Sequence, residues 1–219
     1  MASAPGSWRR DFPALAQRPH GRRLAYLDSA STTLKPAAVI DAVVRVFTEQ
    51  AGNVGRGVHA LAEAATAAFD DARAAVAGFL GGAPDEIVFT RGTTEAINLV
   101  AQAWGPTAVG AGDAIVVTAL EHHANLVPWQ QLCAARGAEL RIAPLDASGA
   151  IDLAALTALL DPRVKLVAVS HLSNVLGTIA PVAAIAAAAH AVGALVLVDG
   201  AQAVAHLPVD VIALGCDFY

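Results

Sequence analysis

The stretch Leu195-Val196-Leu197-Val198-Asp199-Gly200-Ala201-Gln202 decides the fold of this chain. Its four consecutive apolar residues predict a short strand buried on both faces, as in a parallel sheet covered by helices. Asp199 would then stand at the carboxyl end of the strand, where open α/β sheets bind their ligands. A carboxylate at such a position is costly to bury without a partner, although an Asp-Gly turn that begins a loop is an equally good explanation.

Short apolar strands and helical segments alternate along the rest of the chain. Apolar segments that lack strict alternation indicate strands whose two faces are both covered. The predicted strands occupy 24–28, 87–90, 114–118, 139–143, 166–170 and 195–198, and the predicted helices occupy 36–50, 61–80, 93–104, 127–136, 152–160 and 182–192. This order predicts an α/β fold with a mostly parallel sheet flanked by helices. Residues 1–23 are expected to form an N-terminal arm.

Composition argues against several classes of function. The chain has 219 residues, of which 56% are hydrophobic and 15% charged, and its formal net charge is −5. This acidic balance argues against nucleic acid or an anionic membrane as a partner. The two cysteines, Cys133 and Cys216, form no CxxC pair. Neither a zinc site nor a disulfide framework is therefore predicted, and a reducing cytoplasm is the simplest location.

The segment 181–198 contains no charged residue and is long enough to raise the question of a membrane span. Its first part is mostly alanine, which inserts weakly, and His190 and Gly193 interrupt it. We therefore expect a buried alanine-rich helix, a glycine turn and a core strand in this segment, and no association with a membrane.

Four polar motifs each follow a predicted apolar strand. They are Arg91-Gly92-Thr93-Thr94-Glu95, Glu121-His122-His123-Ala124-Asn125, Ser173-Asn174-Val175-Leu176-Gly177 and Asp199-Gly200-Ala201-Gln202. In a parallel sheet, the carboxyl ends of the strands meet at one edge, so the four motifs are expected to converge on one crevice. Their convergence is more informative than any one motif.

Each motif also has a structural explanation. Thr93 and Thr94 could bind an anion at a helix N-terminus, or one of them could cap that helix, with Glu95 in the first turn. His122 could stack on a flat cofactor and move protons, or it could be a surface residue or a metal ligand. No GxGxxG motif follows a strand, which argues against a dinucleotide cofactor.

The remaining two motifs offer groups suited to a pyridine ring. Asp199 could pair with a protonated ring nitrogen, which would keep the ring an electron sink. Gln202, three residues later, could reach a ring hydroxyl. The side-chain amide of Asn174 suits a ring oxygen, although Asn174 could instead be a turn residue in an unusual backbone conformation.

The assembled blocks resemble the class V aminotransferase group of enzymes that use pyridoxal 5'-phosphate (PLP), and specifically cysteine desulfurases of the SufS type. The resemblance covers nearly the whole chain, from about Asp11 to Tyr219. Besides the four motifs, Tyr26-Leu27-Asp28-Ser29-Ala30 matches the family's pattern in order. The resemblance implies the large domain of PLP fold type I over residues 24–219, with its C-terminal part missing.

The resemblance implies a role for each candidate residue. Thr93 and Thr94 would hold the cofactor phosphate. His122 would stack on the pyridine ring and assist proton transfer, as the catalytic residue of this part of the chain. Asp199 would pair with the ring nitrogen, while Asn174 and Gln202 would contact the ring hydroxyl.

The implied reaction converts L-cysteine to L-alanine and an enzyme persulfide, whose sulfur serves iron–sulfur cluster assembly. The implied partners are L-cysteine or selenocysteine, an acceptor protein of the SufE/SufU type, and a second copy of the full-length chain as a homodimer. Selenocysteine lyases and other class V enzymes look much alike, so they stay alternatives, as does a non-catalytic fragment that binds PLP or a partner.

The family's Schiff-base lysine, persulfide cysteine and substrate-binding arginine would follow Tyr219. The two lysines of this chain, Lys35 and Lys165, are not well placed to replace the first of these, and Cys133 and Cys216 are expected to be core thiols. We therefore expect an N-terminal fragment that is inactive alone.

Overall fold

A computed structural model describes residues 8–219, and the first seven residues of the predicted arm lie outside the described residues. The chain divides into two compact units, of which the first ends at Ala75 and the second runs from Val76 to Tyr219. The sequence does not indicate this division. The boundary that we expect between an arm (1–23) and the remainder (24–219) stays a prediction.

The first unit is helical in its described part. It contains the 3₁₀-helices Trp8–Asp11, Pro13–Ala16 and Pro19–Gly21 and helix α1 (Ala37–Glu49), and helix α2 (Ala60–Leu80) crosses the boundary. Pro36 immediately precedes α1, at a position where the missing backbone N–H of proline costs the helix no hydrogen bond. Both predicted helices, 36–50 and 61–80, are confirmed.

The second unit contains a sheet of four parallel strands in the order β2-β1-β3-β4. The strands are β1 (Ala114–Thr118), β2 (Glu139–Ala143), β3 (Val164–Ser170) and β4 (Leu195–Asp199). β3 pairs with β4 in a register that places Ser170 opposite Asp199 at their carboxyl ends. Four of the six predicted strands are therefore confirmed, two of them with identical bounds.

The helices of the second unit connect and cover these strands. They are α3 (Thr93–Ala103), α4 (Gly105–Ala108), α5 (Val127–Arg136), α6 (Leu153–Ala158), α7 (Val182–His190), α8 (Ala203–His206) and α9 (Val211–Leu214), with 3₁₀-helices at Pro84–Glu86 and His123–Asn125. The four helices predicted for this region are confirmed, and the short α4, α8 and α9 are additions. The segment 181–198 forms α7, a turn at Gly193 and β4, as its sequence predicts.

Two hydrophobic clusters lie on opposite faces of the sheet. Val196 and Val198 of β4 join one cluster together with residues of α6 and α7. Leu197, between them, joins the other cluster together with residues of α3 and α5. Because successive side chains of a strand point to opposite faces, burial of both faces explains why β1 and β4 are continuously apolar up to their last residue.

Two predicted strands are wrong. Residues 24–28 and 87–90 belong to no strand, although Ile87 has extended dihedral angles of φ −91° and ψ 123°. A strand also needs a neighbour in register, which a local apolar pattern does not specify. Within residues 8–219, no helix has the length and apolar character needed to cross a membrane.

Candidate active site

Three strands end in buried polar residues at one edge of the sheet. β1 ends at Thr118, β3 at Ser170 and β4 at Asp199, and all three are buried. The strands are parallel, so these ends share the edge at which α/β proteins bind ligands. The motifs that follow these three strands therefore lie at one edge of the sheet, whereas Arg91–Glu95 follows an extended segment outside the sheet. Convergence of all four motifs on one crevice stays a prediction.

Asp199 is a nearly buried carboxylate that lacks a cationic neighbour. The residue is 8% exposed, and its Oδ1 accepts a hydrogen bond from the Ala201 N–H at 3.0 Å. Within residues 8–219 it forms no ion pair. The Asp-Gly turn is therefore present, but it satisfies only one carboxylate oxygen. A cation at the other oxygen would compensate for the cost of burying the charge.

The Thr93-Thr94 motif opens α3, but neither threonine caps it. The N-cap is Gly92, whose dihedral angles of φ 155° and ψ 174° are almost exclusive to glycine, and no side chain caps the helix. The capping alternative is therefore wrong. The hydroxyls of Thr93 and Thr94 make no hydrogen bond within the described chain, and the first N–H groups of α3 have no helical acceptor. These groups suit an anion such as a phosphate.

Glu95 is paired within its own motif. Its carboxylate accepts hydrogen bonds from the backbone N–H and the guanidinium of Arg91, at 2.6 and 2.9 Å. The hydrogen bonds from Arg91 lower the pKa of Glu95, and those to Glu95 raise the pKa of Arg91. Since the charges of Glu95 and Arg91 neutralise each other, Glu95 repels an anion at the start of α3 less strongly.

A cavity of about 310 Å³ connects the start of α3 with the end of β4. Gly92 and Thr93 line it from α3, Gly200 and Ala201 line it after β4, and Tyr219 closes part of it. Much of the remaining lining is apolar. Of the six predicted site residues, Thr93 lines this cavity, and the other five lie outside its lining.

His122 lies after β1 with its ring exposed and one nitrogen engaged. Its Nδ1 accepts a hydrogen bond from the Ala124 N–H at 3.1 Å, and its ring meets that of His123 edge to face at 6.1 Å between centroids. The neutral ring therefore carries its proton on Nε2. In the described chain, no three His, Cys, Asp or Glu residues cluster as a metal site would require.

Asn174 and Gln202 occupy loops at the same edge. Asn174 is exposed, and its side chain makes no hydrogen bond within residues 8–219. The Ser173 hydroxyl instead accepts the turn's N–H groups, and Gly177, with φ 72°, takes the left-handed conformation. Asn174 is therefore a turn residue, as the alternative has it, but it does not have the positive φ of an unusual backbone conformation. Gln202 is half-buried immediately before α8.

Sequence reasoning assigned no role to three polar side chains near this edge. Glu121 accepts hydrogen bonds from residues at the ends of both β1 and β3. His171 Nδ1 lies 3.1 Å from the Tyr219 hydroxyl, and burial lowers the pKa of His171 and raises that of Tyr219 to about 12. Glu121 lies within one of the four polar motifs, whereas the His171–Tyr219 contact joins residues 48 positions apart.

Comparison with known proteins assigns the family. The sequence profile described as "Aminotransferase class-V" matches residues 25–219. This chain belongs to the aminotransferase class-V family. A cysteine desulfurase of Klebsiella pneumoniae (strain 342) is 54% identical over 212 residues, which are 96% of this chain and 52% of that protein. The chain thus spans about half the length of the curated relatives that it matches.

Solved structures of class-V relatives agree with the fold. The cysteine desulfurase CsdA from Escherichia coli, solved in an S-sulfonic acid form, is 41% identical to this chain, with a TM-score of 0.88. The match covers 100% of this chain and 54% of the CsdA chain. A C-DES variant with glycine covalently linked to its PLP cofactor is 26% identical with a TM-score of 0.80, over 95% and 53% of the two chains. The predicted fold class is confirmed.

Lys165 and the two cysteines of this class-V chain lie away from the carboxyl ends of the strands. Lys165 is at the amino end of β3, where it pairs with Asp113 at 3.5 Å, and Lys35 belongs to the first unit. Burial raises the pKa of Cys133 to about 11 and also raises that of Cys216. Both thiols are therefore poor nucleophiles at neutral pH, in agreement with their expected place in the core.

Proposed function

We propose that this chain supplies the PLP-binding portion of a cysteine desulfurase, which converts L-cysteine to L-alanine and an enzyme persulfide. The observation that carries the proposal is Asp199, a nearly buried carboxylate at the end of β4 that has no cationic partner in the described chain. A protonated pyridine nitrogen would supply the missing charge. The 54% identity to a cysteine desulfurase supports this choice among class-V activities.

The residues present fit a phosphorylated pyridine cofactor at both of its ends. At one end, Gly92 lets the backbone pass close to a ligand, and the N–H groups and hydroxyls of Thr93 and Thr94 would hold the phosphate. At the other end, Asp199 would pair with the ring nitrogen. The cavity that joins α3 to β4 gives the ligand access between these two anchors.

Bound PLP would act as the electron sink for the bonds at the substrate Cα. Asp199 would keep the ring nitrogen protonated, because a carboxylate beside it favours the charged form. His122 would cover one face of the ring, with Nε2 as the atom that holds a proton because Nδ1 accepts from Ala124. Asn174 and Gln202 would orient the ring through its hydroxyl.

The remaining parts of the proposal concern the whole protein. We propose L-cysteine as substrate, transfer of the persulfide sulfur to an acceptor protein of the SufE/SufU type, assembly as a homodimer, and a cytoplasmic location. The cysteine desulfurase names of the relatives support the substrate. The acceptor, the dimer and the location follow only from the family resemblance.

A titration with PLP tests the proposal on the chain itself. The purified protein is mixed with PLP, the absorbance spectrum is recorded, and borohydride followed by peptide mass mapping locates any trapped lysine. We expect saturable binding without a specific adduct, because Lys165 lies at the opposite end of the sheet and no sequence motif assigns Lys35 to the cofactor. An adduct fixed at Lys35 or Lys165 would give this chain its own anchor, while absence of saturable binding would contradict the proposal.

A second measurement addresses the chemistry. The chain is incubated with PLP and L-cysteine, and sulfide and alanine are quantified against PLP alone. We expect no excess over PLP alone, since Lys165 lies at the opposite end of the sheet and both thiols have raised pKa values. Sulfide release well above the control would show that this chain contains a catalytic group that the proposal does not assign.

A further inference from the structure

The Glu121 carboxylate joins the carboxyl ends of two neighbouring strands. Its Oε1 accepts hydrogen bonds from the Thr118 hydroxyl at 2.5 Å and from the Ser170 backbone N–H at 3.1 Å. Its Oε2 accepts from the Ser170 hydroxyl at 2.8 Å and from the Asn125 amide at 2.7 Å. Thr118 ends β1 and Ser170 ends β3, so one side chain connects both strand ends to the loop that carries His122.

Neighbouring contacts fix the direction of the hydrogen bonds that Glu121 accepts. The Thr118 hydroxyl accepts from the Leu120 N–H, which leaves its proton for Oε1. The Asn125 amide is oriented by Trp129, whose Nε1 donates to Asn125 Oδ1 at 3.0 Å. Each carboxylate oxygen therefore faces at least one group that can only donate. Burial raises the pKa of Glu121, but the four hydrogen bonds oppose this effect and favour the ionised form.

The loop around His122 depends on this carboxylate. Asn125, which Glu121 holds through its side chain, donates its backbone N–H to the His122 carbonyl at 2.8 Å. Ala124, immediately before Asn125, donates its N–H to His122 Nδ1. The backbone of His122 and the tautomer of its ring are therefore both set by residues that Glu121 anchors to β3.

We propose that Glu121 is a positioning residue that fixes the place and the tautomer of His122 at the edge of the sheet, and so presents the ring to the cofactor. The cofactor part of this inference rests on the proposed function. The part that concerns His122 rests on the hydrogen bonds alone and can be tested without any ligand.

The variant Glu121→Gln tests the inference, because it keeps the size of the side chain but replaces one oxygen by NH₂. If the NH₂ takes the place of Oε1 it meets the Ser170 N–H, and if it takes the place of Oε2 it meets the Asn125 amide protons. Either orientation sets two donors against each other. Glu139→Gln is the matched control, since Glu139 is an exposed residue of β2 that pairs with Arg141.

The primary readout is the ring nitrogen spectrum of His122, recorded by ¹⁵N NMR in the PLP-free chain and assigned with His122→Gln. We expect the Nε2–H form in the parent and in Glu139→Gln, and a mixture of tautomers in Glu121→Gln. We further expect a PLP dissociation constant raised about ten-fold or more in Glu121→Gln, because small displacements of a positioned group are costly.

Each outcome decides the inference. A folded Glu121→Gln chain whose His122 signals and PLP affinity equal those of Glu139→Gln would overturn it. If Glu121→Gln does not fold, Thr118→Val replaces it, since it removes one donor of four, and unchanged His122 signals in that variant would also overturn the inference. If the parent binds no PLP, the proposed function fails for this chain, while the ring spectra still decide whether Glu121 positions His122.

Discussion

Replacing Asp199 by asparagine should separate a ligand-binding role from a structural one. Asparagine keeps an oxygen for the hydrogen bond from the Ala201 N–H but loses the negative charge. In the free chain, Asp199 forms no ion pair within residues 8–219, so no buried pair is broken. The free energy of unfolding should therefore stay within about 1 kcal/mol of the parent's.

The effect of the same change on PLP binding should be much larger. Removing one partner of a desolvated charge pair costs about 2–5 kcal/mol. Since Asp199 is 8% exposed, little solvent would screen its pairing with a ring nitrogen, and we expect at least a roughly 30-fold loss of affinity. Stability and affinity should thus change by different amounts in one variant.

The assay combines urea unfolding of the free chain with a PLP titration. Asp146→Asn is the matched control, because Asp146 also accepts backbone hydrogen bonds through its side chain but lies in an exposed turn. It should leave PLP affinity unchanged. PLP binding by Asp199→Asn within about three-fold of the parent, less than 0.7 kcal/mol, would refute the assignment of Asp199 to the ring nitrogen.

Three further predictions concern stability and reactivity. Gly92→Ala should lower the free energy of unfolding by about 1–3 kcal/mol, because Gly92 has a φ of 155°, although a Cβ there meets open space. Urea unfolding measures this loss. Gly110→Ala is the control, since Gly110 does not have a positive φ. The Asp161 carboxyl, paired with Arg163, has its pKa lowered to about 2. Its stabilising contribution is present above the unfolded-state pKa of about 4 and lost as the pH falls toward 2, so Asp161→Asn should show a smaller loss of stability over that window. Cys133, with a pKa of about 11, should resist iodoacetamide at pH 8 in the folded chain and react with it in urea. Mass spectrometry follows the alkylation. Rapid alkylation of the folded chain would contradict the burial of Cys133.

The parts of the fold that the sequence predicts well are those specified locally. β1 has the predicted bounds because its apolar segment is buried throughout. β2 is an edge strand that includes Glu139 and Arg141 and is only partly buried, so its predicted bounds follow from Gly137 and Pro144 on either side. The segments 24–28 and 87–90 have similar apolar patterns and form no strand. Strand pairing depends on a neighbour far away in the sequence, which no local pattern contains.

The same distinction between local and long-range contacts applies to the candidate site. Asp199 was found because it ends a strand, and its place follows from the parallel sheet. The role of Glu121 was missed because its hydrogen bonds to Ser170 join residues 49 positions apart. The one local signal was the position of Glu121, an acidic residue shortly after the buried strand β1 and next to His122, to which the sequence had already assigned a candidate role.

Glu121, which is half-buried, and Asp199, which is buried, show how two carboxylates at one edge of a sheet can serve different ends. The Glu121 carboxylate is filled by four donors of this chain, so it has no capacity left for a ligand and can only hold the structure. In the described chain, the Asp199 side chain accepts one hydrogen bond and keeps an oxygen available. Because a cation stabilises a carboxylate that is largely removed from water, the carboxylate with an available oxygen marks where a ligand is expected, and the filled one marks what holds the neighbouring loop in place. The number of donors around each carboxylate therefore distinguishes a positioning role from a binding role at this edge. Two variants test that distinction directly. We expect Glu121→Gln to disturb the His122 ring, and Asp199→Asn to leave the ring undisturbed while it lowers the affinity for PLP.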